Sequence, residues 1–532
     1  MSADHRGDGR TFRPRFVIAL ACHNQNTVHR LLEVQDLFRS DPRFGFVYAL
    51  SDTSRFRDGV ERLLRGAGVT RIVPWSALPE QEYRLLLTAS EHIDFTTTRG
   101  PVVLLPHGVG FNKRFVDGEL AGLPPVAVLR EGRVHVVLSH PDQVAQLLAE
   151  CPEAAGHLVV TGDTTFDRLV ASLPLRARYR RRLGVGDERL VVVASTWGVD
   201  AAVGRRPELP MRLLAELPYD RYRVCLVAHP NLWAAHGGRD LEVLFADELD
   251  AGMLLLPPDS GWHAALVAAD VVVTDHGSLS LYAAGLGKPL LLTDLSAEIE
   301  PGTPVADLQH LTPRLDATAD LRTQIDNALP PEDHRALAER VFANQGGAHE
   351  RLQDLVYRLL ETAPSRPPVL HRAPDPAPVA HRLAAALRVR TAAAGNDISV
   401  ERRPAQAQPP REGWHLAVEE GASDLRLTQK ASILCREDPA DEAQAVAWAS
   451  SALAAYPGAR IAAAAVAGGA VVVVRGGQLV RATSTAAVSV IGPVVHHLLL
   501  AGRLADGEHT ADTGARRDRL GLRVSPGQPT GL

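Results

Sequence analysis

From residue 15 to residue 361 the sequence alternates short apolar runs with amphipathic stretches, and most of the runs are Val/Leu-rich from end to end. A strand with one wet face alternates apolar with polar residues. An unbroken apolar strand is buried on both faces, which requires a parallel sheet covered by crossover helices. The first series of such runs is RFVIALAC (15–22), FGFVYAL (44–50), RIVPW (71–75), PVVLLP (101–106), VHVVLS (134–139) and HLVVTG (157–162). A second series is LVVVAST (190–196), YRVCLVAHP (222–230), GMLLLP (252–257), DVVVTD (270–275) and KPLLLTD (288–294). The basic segment 177–188, read as a helix ending at a glycine, separates them. The pattern predicts two consecutive doubly wound α/β lobes, 15–175 and 176–361, whose functional loops leave the C-terminal ends of the strands and face a shared cleft.

An amphipathic helix over 348–361 is expected to close the second lobe. Residues 362–382 then carry six prolines and read as a semi-rigid linker. Residues 383–504 read as a small α+β domain of unassigned role. It has a helix over 441–458, a three-strand meander with Gly-Gly turns over 461–484, and a helix near 486–504. The polar tail 505–532 and the arm 1–14 are expected to be disordered.

Bulk properties narrow the function classes. A formal charge of -5 over 532 residues provides no global field for nucleic acid or an anionic membrane. Four scattered cysteines (Cys22, Cys151, Cys225, Cys435) form no CxxC pair and no zinc spacing, and they suit a reducing cytoplasm. The run Phe16–Cys22 is only seven residues long and is followed by the polar HNQNTVHR, so it reads as a buried strand and not as a secretion signal. The basic arm (His5, Arg6, Arg10, Arg13, Arg15) also carries Asp4 and Asp8 and reads as a plain arm, not a lipid anchor. Only three lysines occur, Lys113, Lys288 and Lys430, and two of them lie in the motifs below.

Four motifs fall at strand ends. In LLPHGVGFNKR (104–114), His107 sits in a glycine-flanked loop facing the cleft, where an imidazole can take a proton from an attacking hydroxyl. Gly108 permits close approach of the backbone, while Lys113 or Arg114 can hold an anionic acceptor or a phosphate. In VTGDTTFDRL (160–169), the glycine turn leads into a helix capped by Asp163 or Thr164, and Asp167 reads as a polar residue of the helix face. In ASTWG (194–198) and VAHPNLW (227–233), Thr196 can donate to a phosphate, and His229 before a proline can reach a diphosphate as donor or cation. In DVVVTDHGSLSLYAAGLGKP (270–289), Asp275, His276 and Gly277 lead into a helix with Ser278 and Ser280 in its first turn, which is an anion site. The plainer reading makes each of these a cap, a turn or a buried polar residue. No Asp-x-Asp, no GxxxxGK[ST] and no strand–GxGxxG–helix occurs, so no metal or other cofactor is expected.

In order, these motifs resemble the CDP-glycerol glycerophosphotransferases, the polymerases and primases of teichoic acid assembly. Their HGTP-like, G-x-P/T-x-x-D, APTW, HP and TDYSS…LGKP motifs stand here as His107-Gly108, Gly162 to Asp167, Ala194 to Trp197, His229-Pro230, and Thr274 to Ser278 followed by Leu286 to Pro289. The resemblance covers about residues 100–361. It implies a GT-B fold of two Rossmann-like lobes, with the acceptor on the N-terminal lobe and the nucleotide donor on the C-terminal lobe. It implies His107 as base, His229 and the 275–280 loop on the donor diphosphate, and NQGGAH (344–349) near the donor. It also implies a hydroxyl acceptor of the lipid-linked kind and peripheral contact with the inner membrane face. Val109-Gly110 replaces the family's Thr-Pro, and TDHGS replaces TDYSS. These departures bear on the transferred group more than on the fold.

The second and fourth motifs also look like VTGNTxxDAL and TDSGGxQEEAxxLGKP of the UDP-N-acetylglucosamine 2-epimerases. Leu281 and Tyr282 stand in place of that family's glutamates, and its HVEAGLR and HRRE segments are missing. The expectation is therefore a metal-independent transferase moving a glycerol-phosphate or sugar unit from a nucleotide-activated donor to a hydroxyl acceptor in cell-envelope polymer or glycoconjugate synthesis. The alternatives are an epimerase-like enzyme, or a scaffold of this fold that has lost catalysis and serves as a binding module.

Overall fold

Strand β1 (Phe16–Cys22) is the axis of the first lobe because almost every side chain in FVIALAC is buried, on both sheet faces. In the computed structural model the described residues are 13–52, 57–114, 118, 120–294, 298–330, 332–377, 383–407 and 412–526. The arm 1–12, the end of the linker (378–382) and the tip 527–532 lie outside them.

β1 pairs in parallel with β2 (Phe44–Leu50), Phe16 opposite Phe44, and with β4 (Leu85–Thr88), Ile18 opposite Leu85. β3 (Ile72–Pro74), β5 (Val102–Leu104), β6 (Val134–Leu138) and β7 (Leu158–Val160) complete a seven-stranded parallel sheet, ordered β3-β2-β1-β4-β5-β6-β7. β4 was not among the expected strands. Its apolar LLLT is only four residues long and lacks a flanking turn signal.

The second lobe is a five-stranded parallel sheet, ordered β10-β9-β8-β11-β12. Its strands are β8 (Arg189–Ser195), β9 (Tyr222–Ala228), β10 (Leu254–Leu255), β11 (Val271–Thr274) and β12 (Leu290–Leu292). Strand order reverses between β1 and β4 in one lobe and between β8 and β11 in the other, and both crevices open at strand C-terminal ends.

Six helices position the site or close a core. They are α1 (Gln25–Gln35), α2 (Thr164–Ser172), α3 (Pro230–His236), α4 (Ser278–Gly285), α5 (Ala348–Leu359) and α6 (Val488–Leu500). The helix expected to close the second lobe, α5, closes the first instead. Leu352, Leu355, Val356 and Tyr357 pack with Phe16, Ile18, Leu31 and Phe38. The Tyr357 hydroxyl donates to Asp41 and the Gln353 amide to the Leu37 carbonyl. Periodicity reveals an apolar face but not which sheet will receive it.

The proline-rich stretch is strapped onto the lobes. Ser365 Oγ donates to Asp41, Ala373 exchanges bonds with Ser172 Oγ and the Tyr179 hydroxyl, and Asp375 holds Arg178 at 2.6 Å.

The C-terminal part is not a small α+β domain with a disordered tail. It is a closed nine-stranded barrel, ordered β13-β14-β20-β21-β19-β18-β17-β16-β15. Its strands are β13 (Ala386–Ala394), β14 (Asp397–Pro404), β15 (His415–Glu419), β16 (Ile433–Ala440), β17 (Ile461–Val466), β18 (Gly469–Val474), β19 (Leu479–Thr483), β20 (Gly507–Asp512) and β21 (Arg517–Ser525). The last two, placed in the expected tail, close the barrel: β20 pairs in parallel with β14, and β21 in antiparallel with β19 and β20. Ala511, Leu520 and Leu522 of these strands are buried in the main barrel core and Val524 packs against it; their remaining residues are polar or exposed, so their composition reads as polar. That core joins residues from all nine strands to α6, eight of whose side chains are buried along with Gly492. A Cβ on Gly492 would sit 3.1 Å from Ile433 Cγ2, so this glycine sets how closely α6 approaches β16.

Gly492→Val is expected to overpack the barrel and lower its unfolding free energy by about 1–3 kcal/mol. Urea denaturation followed by fluorescence checks this, and an unchanged midpoint would mean that α6 has room to withdraw.

Candidate functional site

The second-lobe half of the site is organised by one buried carboxylate. Asp275, at the end of β11, is 1% exposed. Its Oδ2 accepts from Thr196 N at 2.8 Å, Thr196 Oγ1 at 2.8 Å and Ala202 N at 2.9 Å, and its Oδ1 accepts from Gly277 N at 3.1 Å. These donors come from the loops after β8 and β11, the two sides of the strand-order reversal. A buried charge is tolerated where hydrogen bonds replace its hydration. Asp275 is therefore an internal anion, and the Thr196 donors expected to meet a phosphate are taken by it.

Gly277 is the N-cap of α4, and no side chain caps the helix. A Cβ there would lie 2.5 Å from Thr196 Cγ2, so the two loops touch. Ser280 is buried and donates to the Gly277 carbonyl at 2.7 Å, turned into the helix and away from the cleft. Ser278 points across the cleft: its Oγ accepts from Val109 N at 3.2 Å, and a Cβ on Gly108 would sit 2.7 Å from it. The glycine of the HG pair is thus the point where the backbone of one lobe meets a side chain of the other.

His107 is exposed at the tip of the loop after β5. It shares a cavity of about 130 Å³ with Glu91, Lys113, His276 and Ser278. His276 is buried, and burial lowers its pKa despite the neighbouring Asp275, so it is a neutral imidazole. Lys113 is half-exposed, with Nζ 3.8 Å from Glu298. Arg114 is engaged elsewhere, its guanidinium spanning Glu150 of the first lobe at 2.8 Å and Glu300 of the second. With Arg114 N donating to Glu298 O and Glu300 N to Asn112 O, this clasp holds the His107 loop against the second lobe.

His229 caps α3: its Nδ1 accepts from Asn231 N at 3.0 Å. Its Nε2 lies 2.6 Å from the side-chain amide of Asn26, on α1 of the other lobe. Burial first, then His107 and Lys113, push its pKa down to about 3. The ring is therefore neutral and cannot act as the cation considered above. Trp197, 52% exposed, lies 6.5 Å away with its ring tilted by 28°.

Sequence reasoning passed over α1. Its face Asn26–His29–Glu33 lies along the second lobe, with Glu33 3.0 Å from His263. Burial alone would raise the Glu33 carboxyl, but the hydrogen bond and charge of His263, with Arg168 and Arg30, hold it well below the ordinary carboxylate range. His29 and Glu33 of this face line a second cavity of about 480 Å³, with Ser260 and Trp262 in its wall. The Nε2 of His29 and the Oγ of Ser260 have no hydrogen-bond partner among the described residues.

Other motif residues serve the frame. Asp163 caps α2 through Thr165 N and Phe166 N and accepts from the Tyr282 hydroxyl. Asp167 lies on α2, on its buried face at 3% exposure, and it accepts from Gly346 N and Ala348 N. These bonds tie down the 344–349 turn, two of whose amides are thereby committed to protein. Lys288 donates to the Val267 and Ala269 carbonyls at the end of the helix Trp262–Ala268, with its pKa lowered by burial to about 8. Among the described residues no three His, Cys, Asp or Glu converge as metal ligands would, and no helix is long and apolar enough to cross a membrane.

No protein-family model and no curated protein matches the chain. Solved structures do resemble it. One is the wall teichoic acid polymerase TagF soaked with CDPG, at 12% identity over 66% of this chain and 90% of that one, with a TM-score of 0.46. Another is a putative UDP-N-acetylglucosamine 2-epimerase from Listeria monocytogenes, at 14% identity over 67% and 100%, with a TM-score of 0.42. A third is S. aureus MnaA with UDP, at 12% identity over 66% and 99%, with a TM-score of 0.41.

Two outcomes are expected of this site. Asp275→Asn removes the charge on which four donors converge, and is expected to cost about 1.5–3 kcal/mol of stability. Faster amide exchange at Thr196, Ala202 and Gly277 should accompany the loss. His229 binds a proton near its ordinary pKa when unfolded but only near pH 3 when folded. Its contribution to stability is therefore complete above about pH 6.5 and is lost as the pH falls toward 3. His229→Gln should flatten the dependence of stability on pH across that window, as measured by denaturation at pH 7, 6, 5 and 4.

Proposed function

We propose that the chain is a transferase that moves a glycerol-phosphate or sugar unit from a nucleoside-diphosphate-activated donor to a hydroxyl acceptor. The observation that carries this reading is the pairing across one cavity of an exposed imidazole, His107, with an uncapped helix N-terminus carrying Ser278. A transfer reaction needs a proton acceptor on one side of the reacting centre and a stabiliser of negative charge on the other. In this reading His107 takes the proton of the acceptor hydroxyl while its oxygen bonds to the transferred phosphorus or sugar carbon. The bond to the nucleotide breaks in line, and the departing phosphate takes its charge to the start of α4, where amides, the Ser278 hydroxyl and the helix dipole favour an anion. His229 adds a neutral donor. The larger cavity offers Trp262 for stacking, and His29 and Ser260 for the polar edge of a nucleoside.

The epimerase reading is weaker on a specific observation. Leu281 and Tyr282, which replace that family's glutamates, are 1% and 3% exposed, and the Tyr282 hydroxyl is bonded to Asp163. Neither presents an acid or a base to the cleft.

Calorimetric titration with CDP, UDP, GDP, CDP-glycerol and UDP-N-acetylglucosamine tests the donor. Selective binding of one nucleotide family is expected and identifies it, whereas no binding of any would leave a scaffold. With the donor known, His107→Ala is expected to lower turnover by about 10²–10⁴-fold while leaving nucleotide affinity unchanged. Undiminished turnover would remove His107 from the mechanism.

A further inference from the structure

Under the proline-rich strap lies a cavity of about 190 Å³ that shares no residue with the one holding His107. The turn after α1 and one side of α5 line it from below, and residues 365–371 cross it from above. The strap is pinned at each end, by Ser365 Oγ on Asp41 and by Ala373 N on Ser172 Oγ. Residues 366–372 make no hydrogen bond among the described residues. Two buried polar atoms of the lining residues also lack partners there, Gln353 Oε1 and His371 Nε2. Gln353 is 3% exposed, and its amide cannot be reversed: Nε2 donates to the Leu37 carbonyl at 2.9 Å, where a reversal would set oxygen against oxygen. Oε1 is therefore an acceptor only, and an unpaired buried acceptor is costly until a donor reaches it. One water needs only ~10–15 Å³ of such space, so the cavity admits a larger guest.

The charges around the cavity say what that guest carries. Asp36 is already paired with Arg168 at 3.1 Å and Asp41 with Arg43 at 2.6 Å, and the Tyr357 hydroxyl is donated to Asp41. Arg39 and Arg366 also line the cavity, and neither guanidinium has a partner among the described residues. The uncompensated charge is thus positive. We propose that this cavity is a second ligand site, separate from the cleft, for a small anion that bears a hydroxyl group, a polyol phosphate or a hydroxy acid. The anionic group meets Arg39 and Arg366 and the hydroxyl donates to Gln353 Oε1, while His371 Nε2 gives or accepts one further hydrogen bond. The site goes beyond the transferase reading and does not depend on it. A guest here bonds to the unpinned middle of the strap and to the first lobe at once, and so fastens one to the other.

The experiment titrates the full-length protein, without nucleotide, with glycerol 2-phosphate, D-glycerate, inorganic phosphate and glycerol in a calorimeter. Glycerol 2-phosphate or D-glycerate is expected to bind about tenfold or more tightly than inorganic phosphate and glycerol, and the tighter of the two tells phosphate from carboxylate. No binding of either at millimolar concentration, or equal binding of inorganic phosphate, overturns the proposal. Arg366 is exposed and unpartnered, so Arg366→Ala keeps the fold. It is expected to weaken the tighter probe about tenfold, and unchanged affinity overturns the proposal. His107→Ala is expected to bind that probe as the wild type does; a loss there places the probe in the cleft and overturns it. Gln353→Met is expected to erase the advantage over inorganic phosphate. Hydrogen exchange gives the location independently of any variant: the amides of Val369, Leu370 and His371 should slow when the probe is bound, and unaltered exchange at all three overturns the proposal.

Discussion

The geometry of the cleft depends on the hydrogen bonds accepted by Asp275. Two loops that leave neighbouring strands would splay apart if their amides sought water separately, and a phosphate could gather them only while bound. A carboxylate supplied by the chain gathers them permanently. Once Thr196, Ala202 and Gly277 are fixed on it, His276 and Ser278 have no freedom in where they project. Ser278 in turn meets the backbone of Val109, so the placement of the first-lobe loop and of His107 at its tip follows from an interaction buried in the second lobe. The start of α4 is thus fixed by the chain's own contacts, with no ligand needed to gather the loops.

The two lobes meet along a seam that joins polar contacts to an apolar one: Val109, Phe166 and Leu169 of the first lobe enter the core of the second, with Phe166 stacked on Phe342 at 3.9 Å. Arg114 between Glu150 and Glu300, Asn26 against His229, and Glu33 against His263 are each directional and individually modest. The polar contacts fix the register in which the lobes meet, while the apolar patch around Phe166 holds them together.

The strands of the two lobes, β4 excepted, were legible in the sequence because burial on both faces leaves unbroken Val/Leu runs, and the loops after them followed from the rule for parallel sheets. What could not be read was partnership. Thr196, Ser280 and Arg114 have the chemistry of phosphate ligands, yet their donors are bonded to Asp275, the Gly277 carbonyl and two glutamates. Asn26 lies in a stretch that reads only as polar, and its importance arises from a residue 203 positions away. The same limit hid the destination of α5. The barrel escaped for a different reason: β20 and β21 contribute few apolar residues to its core, so a strand that is half exposed looks like a tail.

The barrel is mechanically joined to the cleft through the strand that bears His229. Arg402 of β14 donates to Ser489 on α6 and to Asp220, just before β9, and its guanidinium lies 5.5 Å from the centre of the Tyr219 ring. Arg403 donates to the Ala215 and Glu216 carbonyls, at the C-terminal end of the helix Leu209–Glu216, where a cation offsets the helix dipole. Arg402 is 9% exposed and Asp220 is its partner, so separating the barrel from the lobe would leave a buried charge without compensation. The start of β9 is thus clamped to the centre of the barrel, and its other end delivers His229 to the cleft. A strand held at its base by packed and ion-paired contacts limits the motion of the side chain at its tip. The barrel is accordingly joined to β9 without placing any residue of its own in the cavity that holds His107.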